Sequence, residues 1–444
     1  MQKIKIGELL KRIKESIVLE DASAYKRVTI RSKNQGITLR DVELGVNIGT
    51  KKQFLIREGQ FLLSKIDARN GAFGIVSEKI DGAIITGNFW TFEVNRELLN
   101  IEWFNIFVSS PYFIDICSKA SSGTTNRQYL DEKKFLNFEI QLPFLQEQVI
   151  FVERYKSIKG KFEEVSNELV TQQRNAQKLR GSILQEAIQG KLVQQDENDE
   201  PASVLLEKIK VEKERLIKEK KIKKEKPLPQ ILDEEKPFEL PKGWEWVRFS
   251  DIGELARGKS KHRPRNDKRL FENGIYPFIQ TGDVSKSAVY IDSYKTMYSE
   301  FGLAQSRLWE RGTLCITIAA NIAETAILNI KACFPDSVVG FTPYAPIPVE
   351  HNLYFYYVIN TVKKRLEEFA PATAQKNINL SILNEVVIPL PPLKEQKRII
   401  EKVNQLMLLC DELEANIEQS KQESEKLMKA VLQEAVTVKE EVLN

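Results

Sequence analysis

The chain repeats itself, and the repeat keeps its spacing. The segment IQLPFLQEQ, starting at Ile140, returns as IPLPPLKEQ at Ile388, and KLRGSILQEA at Lys178 returns as KLMKAVLQEA at Lys426, both 248 residues apart. Without gaps, residues 140–187 and 388–435 share 14 identities in 48 positions, mostly at the two ends. Two landmarks held at one separation across a dissimilar stretch preserve a length, so both segments are expected to build the same rigid element.

Each copy opens with a β-type run (FEIQLP, VVIPLP) that ends in proline, which is tolerated in the first turn of a helix, so strand hands directly to helix. Apolar residues then recur in steps of three and four. The expected seam is Phe162, Val165, Leu169, Gln172, Ala176, Leu179 and Ile183, matched by Cys410, Leu413, Ile417, Ser420, Ser424, Leu427 and Val431. Two matched seams in one chain are expected to pair antiparallel. The competing expectation is that each stripe is ordinary core of its own domain.

Weaker correspondences precede the helices. IGEL at Ile6 recurs at Ile252, Gly59 begins GQFLLSKI where Gly312 begins GTLCITI, and IEWFNIFVSSPYF parallels NLYFYYVINTVKKRL. Each copy reads as short strands closed by one helix and a loop, SSGTTNRQ or PATAQKN, which makes the fold class α+β with an internal pseudo-twofold repeat. Between the copies, residues 208–226 hold ten Lys or Arg and four Glu, read as a solvated helix face laced with i,i+4 pairs, before prolines at 227, 229, 237 and 241.

Composition narrows the functions. Sixty-six basic against 62 acidic residues leave a net charge of +4, too small for indiscriminate nucleic-acid coating, so DNA binding requires local patches. Four scattered cysteines form no C-x-x-C pair and two histidines support no catalytic or metal spacing, so no catalytic or metal site is expected. The charged N-terminus and the lack of a long apolar run predict a cytoplasmic protein that is neither secreted nor membrane-embedded.

The duplicated PLPPLKEQ-type junction, the segment LQEAIQGKLVQQDENDEPASVLLEKIKVEKERL, the run FELPKGWEWVRFSDIGEL, LLSKIDARNGAFGIV and PFIQTGDV together resemble the specificity subunit of type I restriction–modification enzymes over essentially the whole chain. The resemblance implies two target-recognition domains, at 1–142 and 241–391, each reading half of a bipartite site in double-stranded DNA. It implies spacer helices at 143–190 and 392–444, a basic, proline-rich linker at 191–240, and docking of two adenine-N6 methyltransferase subunits, with restriction/translocase subunits joining through them. S-adenosylmethionine, ATP and Mg are then expected in the partners and no cofactor in this chain. No N-P-P-[YF] tetrapeptide or G-x-G-x-x-G turn is present.

One motif points elsewhere. Gly253 to Ser260, GELARGKS, satisfies G-x-x-x-x-G-K-[ST] and offers the alternative of an ATP-dependent P-loop enzyme. KHRPRNDKR follows it where a P-loop needs a helix, so Arg257, Lys259, Lys261, Arg263, Arg265, Lys268 and Arg269 read better as a phosphate-contacting patch. Base reading needs Arg for guanine and Asn or Gln for adenine. The candidates are Lys65, Arg69, Asn70, Thr125, Asn126, Arg127 and Gln128 in the first copy, and Gln280, Thr281, Gln375, Lys376 and Asn377 in the second. Turn or cap duty is the competing role of each. A coiled-coil interaction protein without DNA function is the other rival.

Overall fold

A computed structural model describes residues 2–124, 127–224, 227–319, 322–368 and 378–434. The chain divides into two compact units, Met1–Thr171 with Ile417–Asn444, and Gln172–Asn416. Each long helix thus contributes residues to both.

In the first unit, Gln2–Lys5 pairs antiparallel with Glu139–Leu142, and the Ile6 N–H donates to the Phe138 carbonyl at 3.0 Å. A four-stranded sheet follows in the order Leu10–Ile13, Phe89–Val94, Phe61–Ser64, Phe73–Ile75. Its core is aromatic: Phe61, Phe92, Trp103, Phe104, Phe107, Phe113 and Phe135 are buried together, and Val152 of the long helix joins them.

The second unit rebuilds this frame. Glu245–Arg248 pairs with Val387–Leu390, and the Phe249 N–H donates to the Val386 carbonyl at 2.9 Å. The sheet runs Gly253–Arg257, Val338–Pro343, Leu314–Thr317, Thr325–Leu328, with Tyr290–Ile291 added at the edge. Gly59 and Gly312, with φ of 77° and 89°, precede equivalent strands. The IGEL pair is not equivalent, because Ile6–Leu9 is a helical turn whereas Gly253 already lies in a strand. The carbonyl partners equate Ile6 with Phe249, three residues off the sequence match.

The junction explains the PLPPLKEQ landmark. Gln148 is fully buried where the helix Leu145–Ile188 begins; it accepts from the Asn100 N–H (2.8 Å) and donates to the carbonyls of Leu98 and Pro143 (both 2.9 Å). Gln396, equally buried at the start of Leu393–Glu434, donates to the Pro391 carbonyl at 3.0 Å and bonds His351 Nδ1 at 2.9 Å. One side chain therefore ties strand, closing helix and spacer helix together in each copy, with its buried polar atoms paired.

Within each unit the long helices run antiparallel. In the first, Phe162 and Val165 share a groove with Ser424, Leu427 and Met428, while Leu432 packs on the cluster holding Val152. In the second, Arg180 grips Asp411 and Glu414, and Gln195, beyond the end of the first helix, donates to Glu395. The seam differs from the expected one. Every seventh position is at least half-buried: Phe162, Leu169, Ala176 and Ile183, and Cys410, Ile417, Ser424 and Val431. Val165, Leu179, Leu413 and Leu427, however, are 44, 47, 40 and 62% exposed. The intervening place falls one residue later, at Ser166, Arg180 and Ala187 and at Glu414 and Met428. Arg180 can occupy it because its stem packs while its head pairs with carboxylates.

Two further expectations are corrected and a third is extended. The closing segment of the first copy is two helices, Ile101–Val108 and Pro111–Lys119, because Ser110 caps the second and Pro111 cannot continue the first. SSGTTNRQ is largely an antiparallel hairpin, Ser121–Thr124 with Arg127–Leu130, rather than a loop. The basic linker helix, Ala202–Lys218, buries Ala202, Leu205 and Ile209 in the second unit's core. Its outer face is solvated as expected, with Arg215 between Glu212 and Glu219.

Candidate nucleic-acid interface

The first unit gathers residues distant in sequence. The turn after strand Phe61–Ser64 carries Lys65, Arg69 and Asn70, and the Leu130 N–H of the hairpin donates to the Lys65 carbonyl at 2.8 Å. That bond brings Gln128 to Arg69, whose guanidinium donates to its side-chain oxygen, and places Lys65 Nζ 6.0 Å from the Tyr129 ring centre. Asn70 donates to Asp67 at 3.3 Å. Thr125, Asn126 and the side chain of Arg127 lie outside the described residues. Nearby in the fold, Arg12 lies over the rings of Trp90 and Phe92 at 5.1 and 5.4 Å, and burial pulls its pKa down to about 10.

The second unit repeats the arrangement. The Ile378 N–H donates to the Ile318 carbonyl at 3.0 Å, and Ile378 and Leu130 are 248 residues apart (378 − 130), the offset of the helices. Around this bond Arg257, Arg265, Ile318, Ala319, Asp336, Ser337 and Ile378 line a cleft of about 410 Å³. Gln375, Lys376 and Asn377, which lead into Ile378, lie outside the described residues. Gln280 and Thr281 are not part of this cleft; they begin the short helix Thr281–Lys286, whose Asp283 accepts from the Gln280 N–H at 2.9 Å.

The basic loop sorts into two groups. Arg265 pairs with Asp336 at 2.9 Å, Arg269 with Asp267 at 2.7 Å, and Arg263 donates to the carbonyls of Ser260 and His262, so these three shape the loop. Arg269, and after it His262, hold the Asp267 carboxyl far below the usual carboxylate range. Arg257, Lys259, Lys261 and Lys268 are exposed and have no side-chain partner among the described residues, which suits them to phosphate. The P-loop geometry is absent from residues 253–260: Gly253–Arg257 is a sheet strand, and no helix begins at Gly258 or Lys259. Gly258 instead lets the chain pass the Phe334 carbonyl, where a Cβ would come within 2.2 Å.

Sequence reasoning missed Asp336, Ser337 and the turn Arg31–Gly36, whose backbone bonds Asn70 and Gly71. The Asn-Gln-Gly run between two β-type segments marks that turn, but no local pattern announces where it docks. Among the described residues no helix is long and apolar enough to cross a membrane, and no group of three or more His, Cys, Asp or Glu could hold a metal ion.

Known proteins match this architecture. The family model for the type I restriction modification DNA specificity domain matches twice, over residues 1–172 and 241–420. The EcoAI type I restriction enzyme specificity subunit of Escherichia coli is 36% identical over 256 residues, covering 53% of this chain but 40% of that protein's length. The EcoBI specificity subunit, also from Escherichia coli, is 22% identical over 422 residues, covering 93% and 82% of the two chains. In fold, the HsdS subunit from Thermoanaerobacter tengcongensis superposes with a TM-score of 0.63 at 19% identity, over 98% of this chain and 96% of its own. A chain solved in work on complex assembly and conformational transition of the type I R-M system gives 0.69, also at 19% identity, over 98% and 97%.

Proposed function

This chain belongs to the family of type I restriction modification DNA specificity domains and carries two of them, and from that premise we propose that it is the recognition subunit of a type I restriction–modification complex, reading a bipartite DNA site with one half assigned to each copy. The observation that carries the reading is the recurrence, in both units, of one hydrogen bond (Leu130 to Lys65, Ile378 to Ile318) beneath different polar side chains. One scaffold thereby presents two chemically distinct surfaces, as two half-sites of different sequence require.

The division of labour is as follows. Arg257, Lys259 and Lys261 contact phosphate and set position; Lys65, Arg69, Asn70 and Gln128, with Thr125, Asn126, Arg127, Gln375, Lys376 and Asn377, are the candidates for base edges. Gln280 and Thr281 remain candidates at the margin. The paired helices set the gap between half-sites and dock two methyltransferase subunits, through which restriction/translocase subunits join. Catalysis, with S-adenosylmethionine, ATP and Mg, belongs to those partners, and the setting is the cytoplasm, where the DNA lies. The strand over Gly253–Arg257 argues against the nucleotide-binding alternative.

The test is to map N6-methyladenine in a host carrying this chain and a type I methyltransferase partner. A two-part motif with a fixed gap is expected. Methylation unchanged from a host lacking the chain, or a single uninterrupted motif, would contradict the proposal.

A further inference from the structure

The first unit carries a lobe with no counterpart among the described residues of the second: a five-stranded sheet in the order Glu15–Val18, Lys52–Leu55, Ile84–Ile85, Ala24–Ile30, Ile37–Leu44. Its last two strands form a hairpin whose tip is Arg31-Ser32-Lys33-Asn34-Gln35-Gly36. The tip closes on itself, with the Arg31 N–H donating to the Gly36 carbonyl at 3.0 Å. Lys33 and Asn34 both hold left-handed backbone, with φ of 60° and 57°, a pairing that residues with a Cβ adopt only when their surroundings enforce it.

Three contacts enforce it. The Lys33 N–H donates to the Asn70 carbonyl (2.7 Å), the Asn34 N–H to the Gly71 carbonyl (3.1 Å), and the Asn34 side-chain amide to the Ser109 carbonyl (2.8 Å). Gly71 makes the approach possible: its φ is 78°, and a Cβ there would lie 2.5 Å from Asn34 Oδ1 and 2.8 Å from the Asn34 nitrogen. The tip's backbone is thus committed to docking on Asn70–Gly71, next to Arg69 and its partner Gln128. Arg31, Ser32, Lys33 and Gln35 are left exposed.

We propose that this tip is a base-reading element for the half-site of the first copy, with Arg31 and Gln35 as its specificity-determining side chains; the inference rests on the DNA reading proposed above. A guanidinium and a carboxamide are the groups that pair two-pronged with guanine and adenine, and Lys33 adds positive charge with no acid in the tip. Fixing a short turn by its backbone presents these side chains from a rigid support, so less conformational freedom is lost on binding. That the described residues of the second copy build no such lobe fits an element that varies with the sequence read.

The experiment substitutes Arg31→Ala and Gln35→Ala, singly, in the full chain with its methyltransferase partner, and maps methylation on host genomic DNA. Each variant is expected to relax at least one position of a single half-site, with discrimination falling about tenfold or more, while the other half-site is unchanged. Gly71→Ala, which displaces the tip, should relax the same half-site in protein shown by thermal melting to remain folded. Two unaltered half-sites in both alanine variants would overturn the inference. So would a uniform loss of methylation with both half-sites intact, which assigns the tip to phosphate. Wild-type chain giving no bipartite motif would sink the underlying reading itself, a result distinguishable from failure of the tip alone.

Discussion

The two copies agree where they build and differ where they face outward. Both pair a short entering strand with the strand before the spacer helix, order four sheet strands alike, and seat a buried glutamine at the helix start. Outside that frame they part: the first adds the five-stranded lobe, the second the pair Tyr276–Phe278 and Thr296–Tyr298 with short helices Thr281–Lys286 and Glu300–Ala304. Duplication has preserved the frame that joins sheet to helix and left free what is built around it.

The largest effect is expected at the two buried glutamines. Gln148→Ala would strand the Asn100 N–H and the carbonyls of Leu98 and Pro143, and Gln396→Ala the Pro391 carbonyl and His351. Each should destabilise its unit by roughly 2–4 kcal/mol in denaturant unfolding. A large loss in one copy and none in the other would show that the frame is duplicated in geometry but not in energy.

A smaller effect should separate the copies. Gln396 faces the buried imidazole of His351 where Gln148 faces a backbone N–H. Burial lowers the His351 pKa, so the fold favours the neutral ring. The unfolded chain takes up the proton more readily, and stability should therefore fall as pH drops through about 6.5 and below. His351→Gln should remove that part of the acid sensitivity. Urea midpoints at pH 7.5 and 5.5 measure it, and an unchanged pH response in the variant would contradict the assignment.

The smallest effect concerns the basic loop. Lys259→Ala should leave stability within about 0.5 kcal/mol, weaken duplex binding across sequences and lower the salt slope by about one. A change in sequence preference would instead move Lys259 from phosphate to bases.

How far the sequence could be read follows from the range of the interactions. The repeat and the strand-to-helix junction were legible because they are local patterns repeated twice; the expected second spacer helix, 392–444, runs past the described residues. Leu179 was misplaced because apolar character ranked it above Arg180, whose stem packs inward while its head pairs with Asp411 and Glu414. IGEL misled because four identical residues serve as a helical turn in one copy and enter a strand in the other. Lys65, Arg69 and Gln128 were identifiable by type, yet their meeting depends on the bond from Leu130 to Lys65, and the docking of Arg31–Gly36 on Gly71 likewise spans residues far apart in the chain. Such contacts leave no periodic trace.

On the proposed function, each copy is a separate reader on a common frame. The most direct test replaces residues 1–142 with the corresponding domain of a relative of different specificity and maps N6-methyladenine genome-wide beside the parent. One half of the motif should change to the donor's sequence while the other half and the gap remain. Both halves changing together, or neither changing in an active complex, would contradict the account.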